Sequence, residues 1–312
     1  DAPIVFSKKF ARRLIEANQK KTTLDKIKVL SGTKPGELAP QPPATNEPRT
    51  GLSMGQHCEL MAKQWKVPRG EQDQLAYESH HKAAQAFSSG YMDDLVVPFD
   101  GVFRDNNVRD DVELEKLGTL KTVFDKSDEG TLTAANSTPL TDGAAAVLLC
   151  SEDWARAHGL PIKALLVDAQ HIGNDFVGGD GLLMAPTIAV AKLLERNGLT
   201  LQDFDFYEIH EAFAAQVLST LKAWEDPDYC KRVLGRDTPL GSIDRSKLNV
   251  KGSSIAVGHP FAATGARIMA LMAKLLDEKG GGRGLISVCT AGGMGVAAIL
   301  ESAKAGEQEM AA

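Results

Sequence analysis

Strands and helices of ordinary length alternate through the last third of the chain, and this predicts an α/β protein: a layered fold with a mixed sheet covered by helices. Three stretches carry the expectation. Residues 204–224 (FDFYEIHEAFAAQVLSTLKAW) read as a short strand running into a helix, with His210 and Glu211 at the junction. Residues 186–197 have Pro186 in a first turn, apolar Val190, Leu193 and Leu194 on one stripe, and Asn197-Gly198 as a stop. From 248 onward the order is strand (LNVKGSSIAV), helix (TGARIMALMAKLLDEKG), strand (GRGLISVCT) and strand (GVAAILES).

Earlier elements follow in chain order. The sequence opens at Asp1 with Ala-Pro-Ile-Val-Phe and no initiator methionine, as if continuing from something longer. Residues 32–50 are rich in proline and polar side chains and predict an extended surface connection. Helical patterns cover 53–66 and 71–89, the second following Pro68-Arg69-Gly70 and stopping near Gly90. Residues 91–130 are mixed and acidic, with DDVELEKL as a short helix. A polar, turn-rich segment from Thr131 then leads into AAAVLLC at 144–150, an apolar run of strand length. Another apolar segment follows at 163–172, and residues 225–248 read as a polar excursion. No internal repeat is visible.

Composition narrows the function classes. A chain of 312 residues can bury a substantial core, and its size suits two domains. Apolar residues at 43% and charged residues at 24% are ordinary for a globular protein. The net charge of −6 and pI near 5.7 argue against a general nucleic-acid binder. Cysteines 58, 150, 230 and 289 lie far apart without a CxxC pair, so neither a disulfide framework nor a zinc site is expected, and no metal. That usage suits a reducing compartment and predicts a cytoplasmic location. No apolar run approaches the roughly 20 residues of a transmembrane segment. No basic-then-apolar segment opens the chain, so no signal peptide is expected.

Chemistry concentrates in two glycine-flanked loops. His259 stands between Gly258 and Pro260, just before the small residues 262–265 that begin a helix. Glycine there lets another group approach the backbone, and a helix start favours developing negative charge. Cys289 ends an apolar strand and precedes Thr290-Ala291-Gly292-Gly293, whose amides can bind an oxyanion. The loops are about thirty residues apart, joined by a helix and a glycine-rich turn, so their ends can meet at one mouth. Taken singly, a histidine of this kind is also at home in a core or on a surface, and an inert buried cysteine is the commoner kind. A base and a second proton carrier on one substrate need both residue types together, and here both are present, which points to thiol and acyl chemistry.

The motifs resemble those of the thiolase family. His210-Glu211-Ala212-Phe213-Ala214, the run 258–267 (GHPFAATGAR) and the run 289–295 (CTAGGMG) are similar to that family's closing motifs. The run 136–146 (NSTPLTDGAAA) resembles the segment that re-enters the core, and Gly51-Leu52-Ser53-Met54-Gly55 the substrate-side loop. The likeness runs from Asp1 to about Glu301, with five motifs in order. His210, where many thiolases have asparagine, and the extra segment at 225–248 make it most like the fatty-acid-oxidation 3-ketoacyl-CoA thiolases of the trifunctional-complex beta-subunit type.

That resemblance implies a thiolase-like layered fold in pieces: 1–8 as a remnant of the N-terminal domain, 9–138 as an inserted loop (lid) domain, 139–160 as the last strand region of the N-terminal domain, and 161–312 as the C-terminal domain. It implies an acyltransferase that cleaves 3-ketoacyl-CoA to acetyl-CoA and a shortened acyl-CoA in fatty-acid beta-oxidation, or runs the reverse Claisen condensation, with coenzyme A as substrate and no cofactor. His259 would activate the nucleophile, Cys289 would handle the α-carbon proton, and His210 would hold a water or the thioester oxygen. Backbone amides at Ala291 and Gly292 would complete the oxyanion site. Met54 and Phe213 would wall the acyl channel, and Gln170 would stand where many thiolases contact CoA. A homodimer is implied, with docking to a hydratase/dehydrogenase subunit. Family members carry the nucleophilic cysteine before the region corresponding to Asp1, and no such motif occurs here. Cys58, Cys150 and Cys230 read as packing or surface residues. A second reading therefore stays open: a natural truncated homologue that binds CoA esters or a partner subunit without turnover.

Overall fold

The computed structural model describes residues 6–40, 46–179 and 181–303, which divide into two compact units, 1–48 and 49–312. In the first unit, α1 (Lys8–Gln19) is capped by Ser7, whose Oγ accepts from Phe10 N, and α2 (Thr23–Ser31) is capped by Thr22. Arg13 pairs with Glu37 at 3.1 Å, tying α1 to the turn that follows α2.

The second unit begins with α3 (Met54–Gln64). Its start is a capping box in which Ser53 Oγ accepts from Gln56 N while the Gln56 side chain takes the Ser53 N–H. Next come α4 (Arg69–Ser88), α5 (Leu114–Gly118), α6 (Glu152–Ala157), β1 (Ala164–Gly173), α7 (Ala185–Asn197), β2 (Phe206–Ile209), α8 (Ala214–Glu225), α9 (Pro227–Arg232), α10 (Ser254–Val257), α11 (Ala263–Lys279), β3 (Arg283–Thr290) and β4 (Met294–Ser302).

The four strands form one mixed sheet in the order β1-β4-β3-β2, with β2 parallel to β3 and the other two pairs antiparallel. Helix α7 packs against β1 and β4, and α11 contacts all four strands. Alternation along the strands sorts the core into two layers. Leu285, Ala297 and Ile299 join Val190, Leu193 and Leu194 of α7, while Ile286, Ala298 and Leu300 join Ile268, Met272 and Leu276 of α11. Strands β2, β3 and β4 are largely buried while β1 is half-buried to exposed, and helices packed on the sheet are the arrangement expected of a layered α/β fold. Among the described residues no helix is long and apolar enough to cross a membrane.

Two expectations fail here for identifiable reasons. The apolar run 144–150 forms no strand; Leu148 and Leu149 are 69% and 63% exposed, and no neighbouring strand is hydrogen-bonded to the run. The predicted strand 248–257 is instead a turn ending in the short helix α10, because Asn249 at φ 45° and Gly252 at φ 72° cannot continue an extended chain. Asn249 supplies the strand pairing with its side chain: Oδ1 accepts from Ile209 N, and Nδ2 donates to Ile209 O, each at 2.9 Å. By contacts the compact division falls at Pro48/Arg49. Residues 136–140 run along the two histidine loops. Thr138 N donates to Ala212 O, Ala214 N to Asn136 O, and His259 N to Pro139 O, so this strap binds the earlier helices to the sheet half.

Candidate active site

The strap 136–140 also gathers the two histidine loops. His210 extends β2 by one residue, its N–H donating to Ser287 O of β3 at 2.9 Å. The chain then turns through Glu211, Ala212 and Phe213 into α8, with Phe213 bridged to Ser137. His259 is bridged to Leu140. Just before it, Gly258 takes φ 92°, and a Cβ there would lie 2.5 Å from Thr141 Cγ2, so only glycine lets the strap pass this close.

The two imidazoles stand with ring centroids 4.4 Å apart, tilted by 41°. Each is held at Nδ1 by a hydroxyl at 2.7 Å, His210 by Ser254 and His259 by Thr264. Each Nε2 is left without a hydrogen-bond partner among the described residues. His210 is 1% exposed and His259 is half-buried. Burial first, then the charges of His259 and Arg267, hold His210 well below the ordinary histidine range; burial, then Arg267, lowers His259. Both rings are therefore neutral at pH 7, able to accept a proton or to donate an N–H bond.

Cys289 lies on β3 two residues beyond the Ser287 that His210 contacts, paired with Gly295 of β4. It is 5% exposed and packs in a cluster with Cys58, Ala212, Phe213 and Phe176, against which Met54 is also packed. Burial pushes its thiol up to about 12, so it is protonated at neutral pH. The neighbouring Cys58 is raised as well, by burial and then by Cys289 and Glu59. Cys230 is buried and Cys150 exposed. Ala291 and Gly292 form the exposed turn between β3 and β4, with Gly292 at φ 77°. Gly293 behind them lies against Phe176 and Asn174, with Asn174 N donating to Gly293 O.

The sequence-derived residues thus fall into two groups. His210 and His259 stand together at Nδ1-anchored positions; Cys289, Phe213 and Met54 share the adjoining apolar cluster, and Ala291 and Gly292 follow Cys289 in the turn. Gln170 falls outside both. It sits on β1, two strands from β3, where its amide oxygen accepts from Arg196 and its nitrogen donates to His171 O. Ser254, Thr264 and Arg267 escape a sequence reading, the first because it sits in a stretch that reads as strand. Glu208 and Glu211 lie beneath the site: Glu211 accepts from Ser79, Asn249 and Ile255 N, while Glu208, fully buried, is pushed up to about 8 mainly by burial. Among the described residues no group of three or more His, Cys, Asp or Glu gathers as a metal site.

Fold and site together define an α/β enzyme class in which paired neutral histidines lie beside a protonated thiol. The description of the thiolase C-terminal domain matches residues 160–302, and that of the thiolase N-terminal domain matches 16–153. The chain belongs to the thiolase family. It is 45% identical over 309 residues to a 3-ketoacyl-CoA thiolase of Pectobacterium carotovorum, covering 96% of this chain and 69% of that protein. A 3-ketoacyl-CoA thiolase of Alteromonas mediterranea is 44% identical over 311 residues, 96% of this chain and 70% of that one. Among solved structures, human mitochondrial 3-ketoacyl-CoA thiolase superposes with a TM-score of 0.72 at 30% identity, over 87% of this chain and 66% of that one. Bacillus anthracis acetyl-CoA acetyltransferase gives 0.71 at 35%, over 83% and 62%. The chain therefore spans about seven tenths of those curated relatives and slightly less than two thirds of these solved chains. Both names belong to acyl-transferring enzymes.

Proposed function

We propose that this chain supplies the proton-handling half of a 3-ketoacyl-CoA thiolase site, cleaving 3-ketoacyl-CoA with coenzyme A to acetyl-CoA and a shortened acyl-CoA. The observation that carries the reading is the pair of neutral, Nδ1-anchored imidazoles 4.4 Å apart next to the strand that ends in Cys289. Thiolysis needs a thiolate to attack the keto carbon, a base to generate it, a donor to steady the oxyanion and an acid to protonate the α-carbon of the departing acetyl-CoA. His259, neutral and half-buried, takes the nucleophile's proton and hydrogen-bonds the oxyanion, whose collapse breaks the bond to the α-carbon and leaves the acyl group on the nucleophile. Coenzyme A's thiol then takes that group, its proton restoring Cys289 while His259 returns its own to the nucleophile. His210 holds a water or the thioester oxygen. Cys289 keeps its proton until a carbanion-like carbon develops beside it, then gives it up. The exposed amides of Ala291 and Gly292 are suited to a second oxyanion contact. Met54 and Phe213 form apolar wall.

The acyl-accepting thiol is assigned to the part of the thiolase length that this chain does not span, since the thiols of Cys58 and Cys289 are buried and raised and Cys230 is buried. Beta-oxidation as the setting, a cytoplasmic location, a homodimer and a hydratase/dehydrogenase partner belong to the same proposal. The test is to incubate the full-length protein with a 3-ketoacyl-CoA and coenzyme A and quantify products by mass spectrometry. Acetyl-CoA and an acyl-CoA two carbons shorter are expected. Tight binding of the CoA ester without product would favour a homologue that does not turn over.

A further inference from the structure

The donor side of the site contains one more layer. Ser254 Oγ has two polar neighbours: His210 Nδ1 at 2.7 Å and Arg267 Nη2 at 3.0 Å. A guanidinium only donates, so the arginine occupies a lone pair of the hydroxyl. The hydroxyl's single hydrogen then has one acceptor within reach, His210 Nδ1. An imidazole nitrogen that accepts carries no proton, and a neutral ring must carry its proton on the other nitrogen. Were Nδ1 the protonated atom, the buried hydroxyl hydrogen would have no partner among the described residues, a state that folded proteins avoid.

We propose that Ser254 and Arg267 form a positioning relay that presents His210 to the substrate with its proton on Nε2. The proposal rests on the reading of His210 as the residue that holds the substrate oxygen. The relay is braced from several sides. Thr138 Oγ1 donates to Ser254 O at 2.6 Å, Ser253 N donates to Ser79 Oγ at 3.0 Å, and Ile255 N donates to Glu211 Oε2 at 3.2 Å. Arg267 also reaches Ser253 Oγ at 3.4 Å; burial lowers it from its ordinary value, and the nearby acids Glu208, Glu211 and Asp105 oppose that shift. His259 differs in one respect. Among the described residues no cation is bonded to Thr264 Oγ1, so that hydroxyl can donate or accept and leaves His259 free to exchange tautomers. The relay therefore separates a fixed hydrogen-bond donor from a ring that must pick up and release a proton.

The test reads the tautomer directly. In full-length protein labelled with 15N-histidine, ring nitrogen shifts of His210, assigned with His210→Asn, are expected to show Nδ1 bare and Nε2 protonated. Ser254→Ala is expected to introduce the opposite tautomer, while Thr264→Val leaves His210 unchanged. In turnover, Ser254→Ala lowers kcat by less than the roughly 10²–10³-fold of losing an oxyanion donor outright, with KM little altered. A wild-type His210 protonated on Nδ1, or a Ser254→Ala spectrum identical to wild type, would overturn the relay. If Ser254→Ala does not fold, the wild-type spectrum alone decides. Failure of thiolysis with the expected tautomer would count against the function and leave the relay standing; thiolysis with the opposite tautomer would do the reverse.

Discussion

The histidine pair beyond the end of β2, with His210 buried and His259 half-buried, and the buried thiol of Cys289 near the end of β3 are both drawn away from water, yet burial equips them for opposite tasks. Removing an imidazole from water disfavours its cation, so His210 and His259 stay neutral and can accept or share a proton. Removing a thiol from water disfavours its anion, so Cys289 stays protonated to about pH 12 and can only give. The surroundings differ to match. Each histidine has a hydroxyl at Nδ1, while Cys289 is packed among Phe213, Phe176 and Cys58. One physical force, applied to two residue types, leaves imidazoles that can accept a proton and a thiol that can only give one.

The sharpest way to break this contrast is to remove each group from the full-length protein. His259→Ala is expected to lower both acyl-enzyme formation and thiolysis, and Cys289→Ala to lower thiolysis and condensation while acyl uptake persists. Each loss should be roughly 10²–10⁴-fold, the scale of a deleted acid–base group. Rapid-quench assays of the two half-reactions check this, and equal damage to both by Cys289→Ala would erase the distinction. Next in size is the layer that holds the sheet. Leu193→Ala removes a fully buried side chain of α7 and is expected to cost about 2–5 kcal/mol in urea unfolding. A loss below about 1 kcal/mol would mean that the α7 layer is not the rigid base on which β3 rests.

A third histidine sharpens the comparison further. His80 on α4, whose Nδ1 accepts from Arg109 N, is lowered from 6.5 to about 4 by burial and then by Arg109 and His81. With the folded value depressed, the unfolded chain binds the extra proton first, so stability falls as pH drops from about 6.5 towards 4. The urea midpoint should fall between pH 7.5 and 5, and His80→Gln should reduce that fall. An equal fall in both proteins would contradict it. The smallest effect concerns the start of α3: Ser53→Ala removes the cap beneath Met54 and should cost about 0.5–2 kcal/mol, read as a lower Tm.

What could be read from the amino-acid order follows a physical divide. Helices α4, α7 and α11 and strands β3 and β4 announce themselves, because their caps and apolar periods are local properties of the chain. The glycine-flanked loops of His259 and Cys289 were equally legible, since a small-residue setting is a local sign of close approach. Strand formation is not local. Residues 144–150 have the composition of a strand and no partner to pair with among the described residues, and 248–257 has it too but contains Asn249, whose side chain does the pairing itself. Ser254 and Arg267 lie thirteen residues apart and meet only through the packing of α11 against the α10 turn. Gln170, placed by motif likeness, stands apart from the histidines and Cys289, on β1 with its amide oxygen bonded to Arg196.

The division of labour between nucleophile and proton carrier is tested most directly by mapping where an acyl group lands. Full-length protein is incubated with acyl-CoA, digested, and each cysteine peptide weighed by mass spectrometry. The expected result is an acyl group on a cysteine outside residues 1–312 and none on Cys289, in wild type and in Cys289→Ala alike. An acyl group on Cys289 that disappears in Cys289→Ala would make this buried thiol the nucleophile and contradict its role as proton donor.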